Sequence, residues 1–310
     1  MAPLVVALRT LSFALVAFSE FAVYSSPSLE RKKMHLLFTD ETNLEDSTDA
    51  EFFIYGGLVV PAVRLKELHD GIAAIRKEAG FQPEDAFKFQ VRTRPAHVSI
   101  EAFNDAKAKL ISLCYRLRCH FIVYVFLKAM KGSTSPADMV AYGANSVLEA
   151  FNRYLDQNQS FGVAISDRLA KETQYEHMRE KFTKGLSYQN EWKPLANIGV
   201  FASSCINASH AASAIDIVLG AFRYCVNSPK NEELARRIMC EVAALIWHTR
   251  NGDDIETNGK GLIIRPIHQN IRAEKYKAKQ VELVDRLNSL IRDIEVAPPM
   301  PAIKGYLATP

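Results

Sequence analysis

The stretch that decides the fold reads Met34-His35-Leu36-Leu37-Phe38-Thr39-Asp40-Glu41-Thr42, an apolar run that ends in two adjacent acidic residues. A polar loop follows, and then a second apolar run over residues 52–60. Two apolar runs of strand length joined in this way predict an antiparallel hairpin with a long loop. The first strand, over residues 35–40, therefore carries Asp40 at its carboxyl end.

Beyond this hairpin, predicted helices alternate with predicted strands. Helical spacing of apolar residues indicates helices over residues 61–79, 100–117, 135–156, 171–184, 211–226, 231–249 and 273–294. Buried strands are predicted over residues 119–127 and 161–166 and a short edge strand over residues 195–201, with a short alternating stretch at Phe87-Lys88-Phe89. This order predicts one α/β domain over residues 34–295, in which a mixed sheet is flanked by helices with additional C-terminal helices, followed by a Pro-rich tail over residues 296–310.

Composition sets the class of protein. The chain has 310 residues, 48% hydrophobic and 24% charged, and can bury a large core. Its net charge of +3 permits nucleic-acid binding without requiring it. The five cysteines contain no C-x-x-C pair, which predicts reduced core thiols in a cytosolic protein and argues against a disulfide framework or a zinc site.

Residues 1–33 form an apolar extension whose hydrophobic centre is shorter than a membrane span of about 20 residues. Three interpretations are open: a secretory signal, a short anchor, or an upstream extension of a gene whose real start is Met34. Met34 stands directly before the first strand, which favours the third interpretation and a cytoplasmic location. A signal function of residues 1–26 would instead imply export, and an anchor function would add a membrane partner.

Three apolar segments each deliver a carboxylate: Asp40 and Asp167 at the ends of predicted strands, and Asp216 within a predicted helix. Acidic groups at apolar positions lose solvation, and a hard divalent cation is a common compensation. Asp40 and Asp167 can equally be turn formers or helix caps. Asp216 needs a partner in its apolar helix, either a metal or a base such as Arg223. Glu41 faces the opposite side if the strand continues, or becomes a second ligand if the strand has ended.

A site that holds two cations needs a bridging carboxylate and flanking carboxylates on rigid elements. A central strand, an adjacent strand and a following helix can supply them, which is the arrangement of RNase H-like folds. The sequence therefore predicts a Mg²⁺- or Mn²⁺-dependent phosphoryl-transfer site with Asp40, Glu41, Asp167 and Asp216 as candidate ligands.

The chain resembles the domain-of-unknown-function family numbered 3800 in three segments over most of residues 35–227. They are Phe38-Thr39-Asp40-Glu41-Thr42 with Tyr55-Gly56-Gly57-Leu58, then Ile165-Ser166-Asp167, and last Ser213-Ala214-Ile215-Asp216-Ile217-Val218-Leu219-Gly220. Thr42 stands where the family usually has Ser, Ser213 where Gln is common, and Ile215 where Ala is. The resemblance implies an RNase H-like fold and a metal-dependent nuclease of nucleic acid, often associated with defence or mobile elements.

Basic residues near the first long helix are further candidates. Lys88 matches a family position, and its ammonium could contact a scissile phosphate; a surface Lys with a buried stem is the alternative. Arg92 and Arg94 could hold a nucleic-acid backbone or lie in a solvated basic loop. His210 could ligate a metal or transfer a proton, or simply belong to a polar turn.

Two other functions compete with the nuclease. A non-catalytic nucleic-acid or protein-binding module could keep the same fold without turnover. A haloacid dehalogenase-type phosphatase is less favoured, because that class needs Asp-x-Asp and the second Asp is absent after Asp40. Ser-His-Asp hydrolase chemistry lacks its G-x-S-x-G elbow.

Overall fold

The computed structural model of the chain describes residues 33–42, 50–167, 171–188, 191–204, 209–227, 231–251 and 254–292, and its first strand begins at Met34. The predicted extension, apart from Lys33, and the predicted Pro-rich tail lie outside these residues. So does Cys205, whereas the cysteines at 114, 119, 225 and 240 are all free thiols and the first three are buried.

Six strands form one mixed sheet in the order β10-β3-β2-β1-β4-β7. Their bounds are β1 Met34–Thr42, β2 Phe52–Pro61, β3 His120–Leu127, β4 Phe161–Asp167, β7 Ile198–Ser204 and β10 Leu262–Arg265. The neighbours β1, β2 and β3 pair antiparallel, whereas β4 is parallel to β1, β7 to β4 and β10 to β3. The order β3-β2-β1-β4-β7 with these directions is the RNase H-like sheet that the sequence predicted, extended at one edge by β10.

Seven α-helices and two short hairpins lie outside this sheet in the described part of the chain, together with short 3-10 helices. The helices are α1 Leu65–Glu78, α2 Ile100–Arg116, α3 Pro136–Gln157, α4 Lys171–Thr183, α5 His210–Val226, α6 Glu232–Ala243 and α7 Glu274–Arg292. The hairpins pair β5 Leu186–Tyr188 with β6 Glu191–Lys193, and β8 Thr249–Asn251 with β9 Asp254–Glu256. None of the helices in these ranges is long and apolar enough to cross a membrane.

The two faces of the sheet bury separate cores because side chains alternate along each strand. Leu36 and Phe38 belong to the larger core, which is formed with α1, α2, α5, α6 and α7. Leu37 lies on the opposite face, against α3 residues such as Val147 and Phe151. The same alternation assigns Asp40 to the α5 face and Glu41 to the α3 face.

Helix α5 is apolar on almost all sides and lies between the sheet and the other helices of its face. A helix that is hydrophobic all round is a buried helix. Ser209 begins it, with its side chain accepting a hydrogen bond from the Ala211 N–H (3.2 Å). Because α5 has apolar surroundings on almost all sides, a polar side chain on this helix needs a hydrogen-bonding or charged partner.

Four predicted segments differ from the structure. Phe87-Lys88-Phe89 is irregular, β7 begins three residues later than predicted, and α6 ends at Ala243. The residues after α6 bind the edge of β3 instead, where the Phe121 N–H donates to Leu245 O (2.6 Å) and the Trp247 N–H to Phe121 O (3.0 Å). Between the last two predicted helices, where the sequence predicted no strand, the structure has β9 and β10.

Candidate carboxylate site

Asp40 lies near the carboxyl end of β1, opposite Gly56 of β2. Its Oδ1 accepts a hydrogen bond from the Glu41 N–H (2.9 Å). The side chain lines a small cleft whose walls come from β1, β4, β7 and α5: Phe38, Thr39, Ile165, Ser166, Ser204, Ala212 and Ile215. Asp40 therefore faces α5, as the strand alternation requires.

Gly56 allows α5 to approach this end of the sheet closely. A Cβ atom at Gly56 would lie 2.7 Å from Leu219 Cδ1 and 2.9 Å from Phe121 Cε2, both shorter than real Cβ contacts. The glycine thus marks close packing of helix on strand. The backbone of Gly56, which pairs with Asp40, therefore lies against the middle of α5.

Asp216 follows Ile215 directly and stands one helical turn after Ala212, so it shares the α5 face that borders the Asp40 cleft. Its Oδ2 accepts a hydrogen bond from the Phe89 N–H at 2.6 Å, a contact across 127 residues. Burial lowers the pKa of Arg223, and the charge of nearby Asp216 opposes that shift. Half-buried Asp216 therefore accepts a hydrogen bond from a backbone donor and has the positive charge of the predicted base Arg223 nearby.

Asp167 is the last residue of β4. In the parallel register of β1 and β4, Thr39 pairs with Ser166, so Asp40 and Asp167 are each the next residue along. The backbone thus brings these two positions to the same end of neighbouring strands. The side chain of Asp167 lies outside the described residues, and its clustering with Asp40 and Asp216 stays a prediction.

Glu41 lies on the other side of the sheet from α5. Strand β1 continues to Thr42, so Glu41 keeps the alternation and lines a separate cavity with Tyr55 and Lys181. The sequence allowed Glu41 either to face the opposite side of the sheet or to act as a second metal ligand. The second alternative required the strand to end before Glu41. This placement does not bring Glu41 together with Asp216.

Lys88 stands in an irregular segment that is fixed beside α5. Phe87 is buried, and Phe89 packs so closely on α5 that a Cβ atom at Gly220 would lie 2.4 Å from Phe89 Cβ. Lys107 Nζ donates a hydrogen bond to Phe89 O (3.3 Å) and lies 4.7 Å from the centre of the Phe89 ring. Burial lowers the pKa of Lys107 to about 8. Half-buried Lys88 is thereby carried next to the residue that binds Asp216.

The two predicted arginines differ in their surroundings. Arg94 donates hydrogen bonds to the carbonyl oxygens of Val98 and Pro95, so it holds its own loop. Arg92 donates to Gln90 Oε1 (2.6 Å), and its charge lowers the pKa of nearby Arg223. Positive charge therefore accumulates near Asp216 through Arg92 and Arg223.

His210 opens α5 but contacts α1. Its ring centre lies 4.7 Å from that of His69. Burial lowers the pKa of His210, and the charges of His69 and Arg76 lower it further. The structure gives His210 a neighbouring histidine and not one of the candidate carboxylates.

The donor chemistry of Asp40 and Asp216 fits a hard divalent cation, which prefers carboxylate oxygens. Within the described residues, no group of three or more His, Cys, Asp or Glu side chains is close enough to hold a metal ion. A complete ligand set at this edge of the sheet would therefore need Asp167.

No protein-family model matches the chain, and no curated protein matches it. Among solved structures, it is similar to a Bst RNase HIII in complex with Mn²⁺, with 12% sequence identity and a TM-score of 0.33. The match covers 69% of this chain and 63% of the RNase HIII, so it spans less than two thirds of that protein.

Proposed function

We propose that the protein is a cytoplasmic Mg²⁺- or Mn²⁺-dependent nuclease that hydrolyses phosphodiester bonds of nucleic acid. The observation that carries the proposal is the approach of two elements: Asp40 on β1 borders the same stretch of α5 that carries Asp216. The register of β4 adds Asp167 at the adjacent strand end. The topology of the sheet and the resemblance to the family numbered 3800 support the same function.

Each residue has a distinct role in this proposal. Asp40, Asp167 and Asp216 hold the cation, which when bound supplies Lewis-acid stabilisation of a phosphoryl oxygen. Lys88, Arg92 and Arg223 surround this edge of the sheet with positive charge suited to the backbone of a nucleic acid. The Lys107 contact fixes the segment that carries Lys88, which keeps that ammonium on a rigid support.

Asp40→Asn tests the proposal, because it keeps the size of the side chain and an oxygen able to accept the Glu41 N–H. We expect Mn²⁺ binding, measured by calorimetry, to weaken and Mn²⁺-dependent cleavage of single- or double-stranded substrates to fall by about a hundredfold or more. Asp105→Asn is the matched control, since Asp105 is exposed on α2 and pairs with Lys109 (2.8 Å). Equal cleavage by wild type and Asp40→Asn would remove Asp40 from the site.

Glu41→Gln tests whether Glu41 and its sequence neighbour Asp40 bind the same cation. Since Glu41 lies on the other face of the sheet, we expect it to weaken Mn²⁺ binding far less than Asp40→Asn does. A loss as large as that of Asp40→Asn would show that the two side chains act on one cation.

A binding module without turnover is the second candidate function. The hydrogen bond from the Phe89 N–H to Asp216 favours it, because that bond gives the half-buried carboxylate a structural role without any metal. Such a module would bind nucleic acid in EDTA as well as in Mn²⁺, and Asp40→Asn would leave that affinity unchanged.

A further inference from the structure

A cavity of about 300 Å³ lies on the α3 face of the sheet, against α4. Three alanines of α3 at helical spacing leave this space open: Ala137, Ala141 and Ala144. Strand residues form the opposite wall: Thr39 of β1, Ala164 of β4 and Phe201 of β7. Its volume is at the lower end of the range for pockets that bind small molecules. The cavity shares Thr39 and Ser166 with the Asp40 cleft, so both lie at the carboxyl ends of β1 and β4.

One cationic group lines this largely apolar space. Lys181 of α4 is only 5% exposed, and its Nζ makes no ion pair or hydrogen bond with any residue in the described ranges. Burial lowers the pKa of Lys181, and burial together with the charge of Lys181 lowers the pKa of His177 beside it. The charge of nearby Glu180 opposes the shift of Lys181 and offsets only part of the cost of burial, so an anion in contact with Lys181 Nζ would stabilise the ammonium further.

The other polar groups of the wall restrict what that anion can be. Tyr55 Oη donates a hydrogen bond to Thr39 Oγ1 (2.8 Å), so these two hydroxyls are already paired. Glu41 lines the same cavity, and its charge disfavours a ligand with a second negative charge. The alanines of α3 provide an apolar surface without polar partners.

We propose that this cavity binds a small organic monoanion, whose acidic group pairs with Lys181 Nζ and whose apolar body lies against the alanines of α3. The site lies on the other face of the sheet from Asp40, although the two share wall residues at the carboxyl ends of β1 and β4. It does not depend on the proposed nuclease function.

Two fluorescent probes of similar shape, one anionic and one neutral, test whether the charge of the ligand contributes to binding. We expect the anion 8-anilinonaphthalene-1-sulfonate to bind wild type with one-to-one stoichiometry, as should its neutral analogue N-phenyl-1-naphthylamine. Lys181→Met should weaken the sulfonate by about tenfold or more, because a charge-assisted contact is lost, and leave the neutral probe unchanged.

Two further variants locate the probes. Ala141→Phe fills the cavity without changing any charge and should remove both probes. Lys184→Met is the matched control: Lys184 follows the end of α4, its side chain is 56% exposed and it pairs with Glu180 (3.7 Å). It should change neither affinity.

Three results would overturn the proposal: no saturable binding by wild type, sulfonate binding that survives Ala141→Phe, or equal loss of both probes in Lys181→Met. Melting curves by circular dichroism confirm that each variant is folded. If Lys181→Met is unfolded, Ala141→Phe alone still decides whether the cavity is the binding site.

Discussion

Asp216→Ala tests what the buried helix α5 gains from its only acidic residue. The variant removes the acceptor that lies 2.6 Å from the Phe89 N–H. A hydrogen bond to a charged group contributes about 1.5–3 kcal/mol, and alanine recovers about 0.5 kcal/mol of helix propensity. We expect the free energy of unfolding in EDTA to fall by about 1–2.5 kcal/mol. Asp216→Asn, which keeps a carbonyl oxygen, should lose less than about 1 kcal/mol.

Urea denaturation followed by circular dichroism measures these differences. Asp285→Ala is the control, because Asp285 is exposed on α7 and its replacement should add only a few tenths of a kcal/mol, from helix propensity. An Asp216→Ala protein as stable as wild type, or more stable, would refute the reasoning. It would mean that repulsion among neighbouring carboxylates exceeds the value of the Phe89 hydrogen bond.

Two further predictions concern stability. Gly220→Ala should cost about 1–3 kcal/mol in the same urea assay, since its Cβ would lie 2.4 Å from Phe89 Cβ; unchanged stability would contradict that close contact. Burial lowers the pKa of His35 and of His120 from 6.5 to about 4. As the pH falls, both histidines are therefore protonated in the unfolded chain before they are protonated in the folded protein. Stability should be complete above pH 6.5 and fall as the pH drops from 6.5 towards 4, and His35→Gln or His120→Gln should flatten that slope in urea titrations at several pH values.

The parts of the fold predicted correctly are those that leave a local pattern. The hairpin of β1 and β2 follows from two apolar runs joined by a polar loop, and α5 follows from its apolar composition. Strand β10 was missed because it is four residues long and pairs with β3, where Leu262 lies opposite Val123. A parallel pairing across that separation leaves no local signature in either segment.

Phe87-Lys88-Phe89 shows how alternation can mislead. The two phenylalanines have strand spacing, yet Phe87 packs with Phe81 at 4.9 Å between ring centres, and Phe89 lies on Gly220. The backbone of Phe89 binds the side chains of Asp216 and Lys107 instead of another strand. Tertiary contacts with side chains therefore replaced the sheet pairing that the pattern indicated.

The contacts of the candidate site residues were predictable only in part. The poor fit of an Asp inside an apolar helix predicted that Asp216 has a specific partner, and Arg223 was named as one option. The Phe89 N–H could not be predicted, because every residue except proline carries such a donor. Lys107 and Lys181 gave no signal either, since a buried lysine in a helix reads as a surface lysine in sequence.

The outer edge of β3 is covered by a distant part of the chain. The Phe121 N–H donates to Leu245 O, the Val123 N–H to Gly261 O, and β10 pairs beyond them. During synthesis, β1, β2 and β3 leave the ribosome long before residues 245–265 exist. Until those residues have been synthesised, one edge of β3, the most apolar strand of the sheet, stays unpaired. Unpaired apolar edges promote association between chains. Slow translation or truncation within this interval should therefore favour aggregation over folding.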